Sequence, residues 1–103
     1  MSIAYTVIAS CPSKELSDEY VAWLEDGHID AVIAGGAHSA MIVRLDREGN
    51  SGPWVLEVRY IFSTRAAFDR YIKEHAPALR ADGLKRFGPE RGIVFKRTLG
   101  EIV

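Results

Sequence analysis

A single cysteine, Cys11, is the whole thiol content of this 103-residue chain. No intrachain disulfide can therefore staple it, and a reducing, cytoplasmic setting is expected. No apolar run approaches the roughly 20 residues that a membrane-spanning helix needs, so no membrane partner is expected. Charge of one sign is also missing. Thirteen basic residues meet fourteen acidic ones, a net charge of -1, and no overall field draws in nucleic acid or an anionic surface. Phosphate-loop spacing is absent, because Gly35-Gly36 stands without the lysine that such a loop carries. There is no Gly-x-Ser-x-Gly elbow for a nucleophilic serine. His28, His38 and His75 are too widely spaced for a ligand motif, so no metal is expected.

What is there is ordinary for a globular domain. Hydrophobic residues make up 48% and charged residues 26%, proportions that exclude disorder and collagen-like repeats. The length suits one domain, residues 1–103, large enough to bury a core without cross-links. Ile8-Ala9-Ser10-Cys11 has the look of a lipoprotein cleavage site. The first basic residue, Lys14, follows the cysteine, however, and Tyr5 and Thr6 dilute the apolar run that a secretory signal requires. The segment is expected to be a strand, with Cys11 a passive loop residue after it.

The order of elements can be followed along the chain. Ile3 to Ser10 is rich in β-branched and aromatic residues and closes at Pro12, a strand. Ser13 or Ser17 caps a helix, with Glu15, Asp18 and Glu19 near its positive end. Its apolar stripe runs through Tyr20, Val21, Trp23, Leu24, Ala31 and Val32. Gly27 weakens its middle and marks a bend, and Gly35-Gly36 ends it. Ser39 to Leu45 and Trp54 to Phe62 are strands joined by a Gly- and Asn-rich loop, hence an antiparallel pair. Ser63 or Thr64 caps a second helix through Phe68, Tyr71, Ile72 and His75. Pro77 cannot continue that helix but can open another, so Pro77 to Arg86 reads as a short third helix or a turn. Arg91 to Leu99 is the last strand. The sequence thus predicts an α+β, ferredoxin-like βαββαβ domain: a four-stranded antiparallel sheet, ordered 4-1-3-2, with the helices on one face.

The other face has to meet water or a partner. Alternation in the third strand sends Leu56, Val58, Tyr60 and Phe62 one way and Val55, Glu57, Arg59 and Ile61 the other. The second set is too apolar for a fully wetted face, and both sides of the first strand are apolar as well. A second copy covering that face, as a two-fold homodimer, is expected. RNA binding through this surface would need stacked aromatics where Glu57 and Arg59 stand, so no nucleic acid is expected.

Two histidines fall on the apolar stripes of their helices, His28 four residues after Leu24 and His75 four after Tyr71. A ring there needs a hydrogen-bond partner, and a helix–sheet cleft with both histidines opening into it is the expectation. His75 and His28 are accordingly the candidate catalytic residues, as acid–base groups; a histidine bonded to backbone near a helix end is the plain alternative. Arg80 is the candidate anion anchor among Arg44, Arg59, Arg80 and Arg97. Arg59 with Glu57 is expected to be a structural pair. Trp23, Tyr60 and Phe87 are candidate ligand-binding walls, while Phe68 and Tyr71 fit plain core.

Several segments carry a family likeness: Trp23-Leu24 followed by His28-Ile29, Tyr60, the run Glu74-His75-Ala76-Pro77-Ala78-Leu79-Arg80 with Arg86-Phe87-Gly88 after it, and Phe95 to Thr98. The chain resembles a small bacterial family of unknown function in the dimeric α+β barrel superfamily. It departs from the usual His-Ile-Pro at Asp30. The resemblance implies a ferredoxin-like protomer whose sheet packs on a second sheet to form a barrel. It supplies no activity and no cofactor. Superfamily neighbours include cofactor-free monooxygenases, haem-degrading enzymes and lactone isomerases, several with a pocket between helices and sheet. Three functions fit: a protein that binds or transforms a small organic molecule in that pocket, a regulatory module binding an effector at a subunit interface, and a structural dimer whose histidines and arginines hold its helices.

Overall fold

The computed structural model describes residues 1–103. Its elements are β1 (Ile3–Cys11), α1 (Lys14–Trp23), α2 (Ile29–Ala34), β2 (Ser39–Arg44), β3 (Trp54–Phe62), α3 (Arg65–Glu74), α4 (Ala76–Arg86) and β4 (Val94–Glu101). The strands form one antiparallel sheet in the order β2-β3-β1-β4, the order the sequence predicts. Each helical arm is a broken pair, α1 with α2 and α3 with α4, and the breaks aim the side chains of the site.

Ser13 starts α1 by accepting a hydrogen bond from the Leu16 backbone N–H at 3.2 Å. Ser17, the other cap candidate, is buried and accepts from Arg44 Nη1 instead. The first arm breaks over Leu24–His28, where Asp26 leaves helical geometry and Gly27 takes φ +105°. A side chain is strained at such a φ and glycine is not, so the expected bend falls where glycine permits it. Asp30 does not stop the arm, which resumes as α2. Thr64 caps α3 through the Ala67 N–H at 3.1 Å. The second arm breaks at His75, two residues before Pro77, and Pro77 sits in the first turn of α4, where its missing N–H costs nothing.

Two boundaries differ from expectation. β1 extends to Cys11, which pairs with Trp54 and is fully buried. The thiol keeps the inward phase of Ile3, Tyr5 and Ala9, so it belongs to the core and not to a loop. β4 starts at Val94 because Pro89–Arg91 form a 3₁₀ turn closed by Gly92 at φ +90°. Arg91 is thereby freed to pair with Glu19 of α1, which ties the β4 approach to the first arm.

The core lies between the sheet and the helices. Leu56, Val58, Tyr60 and Phe62 of β3 all point into it and are at most 3% exposed. Ile3, Leu16, Leu24, Val32, Phe68 and Tyr71 pack against them. Each such side chain contributes about 1.5–3 kcal/mol by leaving water. The opposite face carries no helix. Its rows run Val43, Glu57, Ile8, Lys96 and Met41, Arg59, Thr6, Thr98 across the four strands. Arg59 pairs with Glu57 along its own strand at 2.9 Å, and Met41 and Val94 are more than half exposed there.

Candidate functional site

A pocket of about 260 Å³ opens between the helices and the sheet. Its floor follows from strand alternation: Tyr5 and Val7 of β1, Tyr60 of β3, and Phe95 and Arg97 of β4 share the helix-facing phase. Tyr20 and Trp23 of α1, Tyr71 of α3 and His28 of the first break form its walls. The roof is α4, through Leu79, Arg80, Gly83 and Leu84, with Phe87 just beyond it. Gly83 lets α4 lie close to the indole: a Cβ at that position would be 3.3 Å from Trp23 Cη2 and would push the ring by a few tenths of an ångström.

The walls brace one another through ring contacts. Tyr20 meets Phe87 edge-on with centroids 5.3 Å apart and Trp23 in a stack at 5.9 Å. Tyr5 stacks on Tyr60 at 6.1 Å. Such pairs contribute beyond their buried area and hold the rings in fixed orientations. The pocket is therefore shaped in advance, and a flat ligand entering it would not have to order its walls.

His28 stacks on Trp23 with centroids 4.1 Å apart. Burial pushes its pKa below the ordinary imidazole value, and the nearby Asp82 charge only partly opposes that. The ring is neutral at pH 7. Its Nδ1 is sealed from solvent and has no hydrogen-bond partner. An orphaned lone pair costs less than an orphaned N–H in such a place, so the proton belongs on Nε2. His28 thus stands in the pocket as a neutral ring with its proton on Nε2.

The phenols point the same way. Burial raises Tyr20 and Tyr60 far above the usual phenol range, and Tyr71 to about 12. Each stays a neutral O–H. Tyr5 Oη accepts from Arg80 Nη2 at 3.2 Å and from Arg97 Nε at 3.0 Å. No aspartate or glutamate lines the pocket. Its polar equipment is two guanidiniums, neutral phenols and a neutral imidazole in an aromatic shell, with no carboxylate to repel an acceptor-rich ligand. No group of three or more His, Cys, Asp or Glu side chains is placed to hold a metal ion.

Of the site residues named from sequence, Trp23, His28, Tyr60, Arg80 and Phe87 surround this one pocket. His75 does not join them, and the expectation that both histidines open into one cleft is corrected. It is exposed and lines a separate shallow depression with Gly35 and Glu74. The cause is the break before Pro77. α3 ends at His75, whose φ of -120° departs from the helix, so the four-residue phase from Tyr71 no longer aims its ring inward. The ring packs on the backbone of Gly35, where a Cβ would come within 3.0 Å. Tyr5, Tyr20 and Phe95 line the pocket without having been singled out, Tyr71 lines it although its spacing reads as plain core, and Arg97 was not distinguished from the other arginines. Strand alternation could have found Tyr5 and Arg97, because both share the inward phase that buries Ile3. Their phenol and guanidinium groups would then have needed polar company in that layer.

The element order, the sheet order and the pocket under a helical layer define a ferredoxin-like α+β protein. Its residues 2–102 match the family described as a domain of unknown function, DUF4286, and the chain belongs to that family. Solved structures with the same fold are distant in sequence. A dimeric ferredoxin-like protein from an uncultured marine organism is 14% identical, with a TM-score of 0.72 over 99% of this chain and 95% of that one. HapK from Hahella chejuensis is 17% identical, with a TM-score of 0.65 over 100% and 93%. SnoaB, a cofactor-independent oxygenase from Streptomyces nogalater, is 10% identical, with a TM-score of 0.62 over 98% and 92%. No curated protein matches the sequence. No helix is long and apolar enough to cross a membrane.

Proposed function

We propose that this protein binds a small aromatic molecule in the pocket beneath α4, one per protomer of a homodimer. The observation that carries the reading is the pocket itself, a preformed cavity of about 260 Å³ whose shell is Tyr5, Tyr20, Trp23, Tyr60, Tyr71, Phe87 and Phe95. Sites for small organic ligands are concave and mostly apolar with a few convergent polar groups, and this one has that make-up. Trp23 and Phe87 act as walls, Tyr60 as floor, Arg80 as the polar anchor and His28 as a neutral donor. The SnoaB likeness is compatible with chemistry on such a ligand, but a shared fold carries no activity by itself.

The homodimer reading draws on the helix-free face of the sheet. Val43, Ile8, Ile61, Val55 and Val94 lie among its few charges, too much apolar surface to leave wet on a monomer. The dimeric ferredoxin-like neighbour from the marine organism supports the same arrangement. A bacterial cytoplasm suits the one thiol, which lies buried with its pKa raised.

Calorimetric titration with one- and two-ring aromatics tests the pocket. Binding is expected to weaken at least tenfold in Trp23→Ala and to be unchanged in His75→Ala. Equal loss in both variants, or no binding by any aromatic tried, would overturn the reading. Sedimentation of the purified chain tests the assembly, with two copies per particle as the expected result and one copy as the contrary one.

A further inference from the structure

Four arginines of this fold pair with a carboxylate: Arg44 with Asp18, Arg59 with Glu57, Arg65 with Glu101 and Arg91 with Glu19. Arg80 and Arg97 do not. They approach from opposite sides of the pocket, α4 above and β4 below, and converge on one neutral oxygen, Tyr5 Oη, at 3.2 and 3.0 Å. Two like charges sharing a neutral acceptor repel each other, and no acid in the pocket lining offsets them. A guanidinium reaches its strongest hydrogen bonding with a planar oxyanion, which accepts both prongs of its fork.

We propose that the ligand of this pocket is an aromatic carboxylate, its ring held in the aromatic shell and its carboxylate gripped jointly by Arg80 and Arg97 beside Tyr5. This rests on the pocket being a ligand site and adds the chemical class. The flanking groups agree with it. Tyr20, Tyr60 and Tyr71 are kept as neutral phenols, and His28 keeps its proton on Nε2, so each of these groups can donate and none carries a negative charge. A cationic ligand would meet two guanidiniums and no carboxylate. The cavity lies just below the about 300–1,000 Å³ usual for drug-sized ligands, which favours a frame of one or two fused rings over a larger polycycle.

The test uses three probes with the full-length protein in calorimetric titration: 2-naphthoate, its neutral amide 2-naphthamide, and acetate as the anion without a ring. The acid is expected to bind at least tenfold tighter than the amide, the usual consequence of losing one charge-assisted hydrogen bond. It should also bind far more tightly than acetate. Arg80→Met and Arg97→Met should each remove most of the acid-over-amide preference. Melting of the ligand-free variants reports their folding, and Arg97→Lys, which keeps charge but loses the fork, should retain part of the preference. If acid and amide bind alike, or the preference survives both methionine variants, the carboxylate assignment fails while the pocket reading stands. If acetate matches naphthoate, the aromatic frame is wrong. If no probe binds, the assignment falls together with the pocket reading.

Discussion

The two faces of the sheet are made from the same four strands, yet they have opposite chemistry. The helix side carries the large residues: Tyr5, Tyr60, Phe62 and Phe95, with Tyr20, Trp23, Tyr71 and Phe87 closing over them. The bare side carries β-branched residues, threonines, Met41, Lys96 and a Glu57–Arg59 pair, and no aromatic ring. Large rings meeting across a gap leave a hollow, because their rigid shapes cannot fill every corner. β-Branched side chains on a pleated surface form a layer that a second sheet can pack on. One face is suited to holding a molecule and the other to holding a copy.

The contrast can be broken from either side, and truncation of the core should have the largest effect. Phe62→Ala is expected to cost about 3–5 kcal/mol, read as a lowered urea midpoint. A loss near 1 kcal/mol would mean that the helix side is loosely packed. On the bare face, Ile61→Asp places a charge where a partner sheet is expected. It should weaken the dimer by about 3–5 kcal/mol while circular dichroism stays unchanged. A variant that still sediments as two copies would move the contact off this face.

pH sharpens the same comparison, because the groups with raised or lowered pKa inside the pocket belong to the helix side. His28 has a folded pKa below its ordinary 6.5. In the interval just under 6.5 the unfolded chain therefore binds a proton that the folded chain refuses. Stability is full above that interval and falls as pH drops through it. His28→Gln should flatten this slope, and a slope unchanged in the variant would assign it elsewhere. At the alkaline end the sign reverses. Tyr71, raised from 10.0 to about 12, stays protonated in the fold while the unfolded chain ionises, so stability should fall as pH rises from 10 toward 12. Tyr71→Phe should reduce that loss in a pH-resolved melt. The smallest effect belongs to the bare face. Glu57→Gln breaks a partly exposed ion pair and should change protomer stability by less than about 1 kcal/mol, detectable only in a double-mutant cycle with Arg59.

Much of this was legible in the sequence where one local rule decided the outcome. Gly27 marked the first break because few other residues tolerate its φ. Pro77 marked the second because it has no N–H. The alternation of Leu56, Val58, Tyr60 and Phe62 gave the buried side of β3 outright. His75 was misplaced for a related reason. A four-residue phase was extended from Tyr71 to the last residue before the break, where the helix that defines the phase has already ended. Cys11 was assigned to a loop because Pro12 follows it; with both sides of the first strand apolar, only the burial of Ile3, Tyr5 and Ala9 shows that its parity points inward.

Local spacing, capping residues and alternation were enough to determine the element order and the helix-facing side of β3, since each depends on neighbours a few residues apart, and the sheet order then followed from the handedness rule for the crossover. Only the tertiary structure decided that Arg80 and Arg97, from a helix and a strand far apart in sequence, meet at the Tyr5 hydroxyl, and that His28 enters the pocket while His75 leaves it. Those outcomes depend on how two broken helical arms settle across the sheet, and no short-range rule contains that geometry.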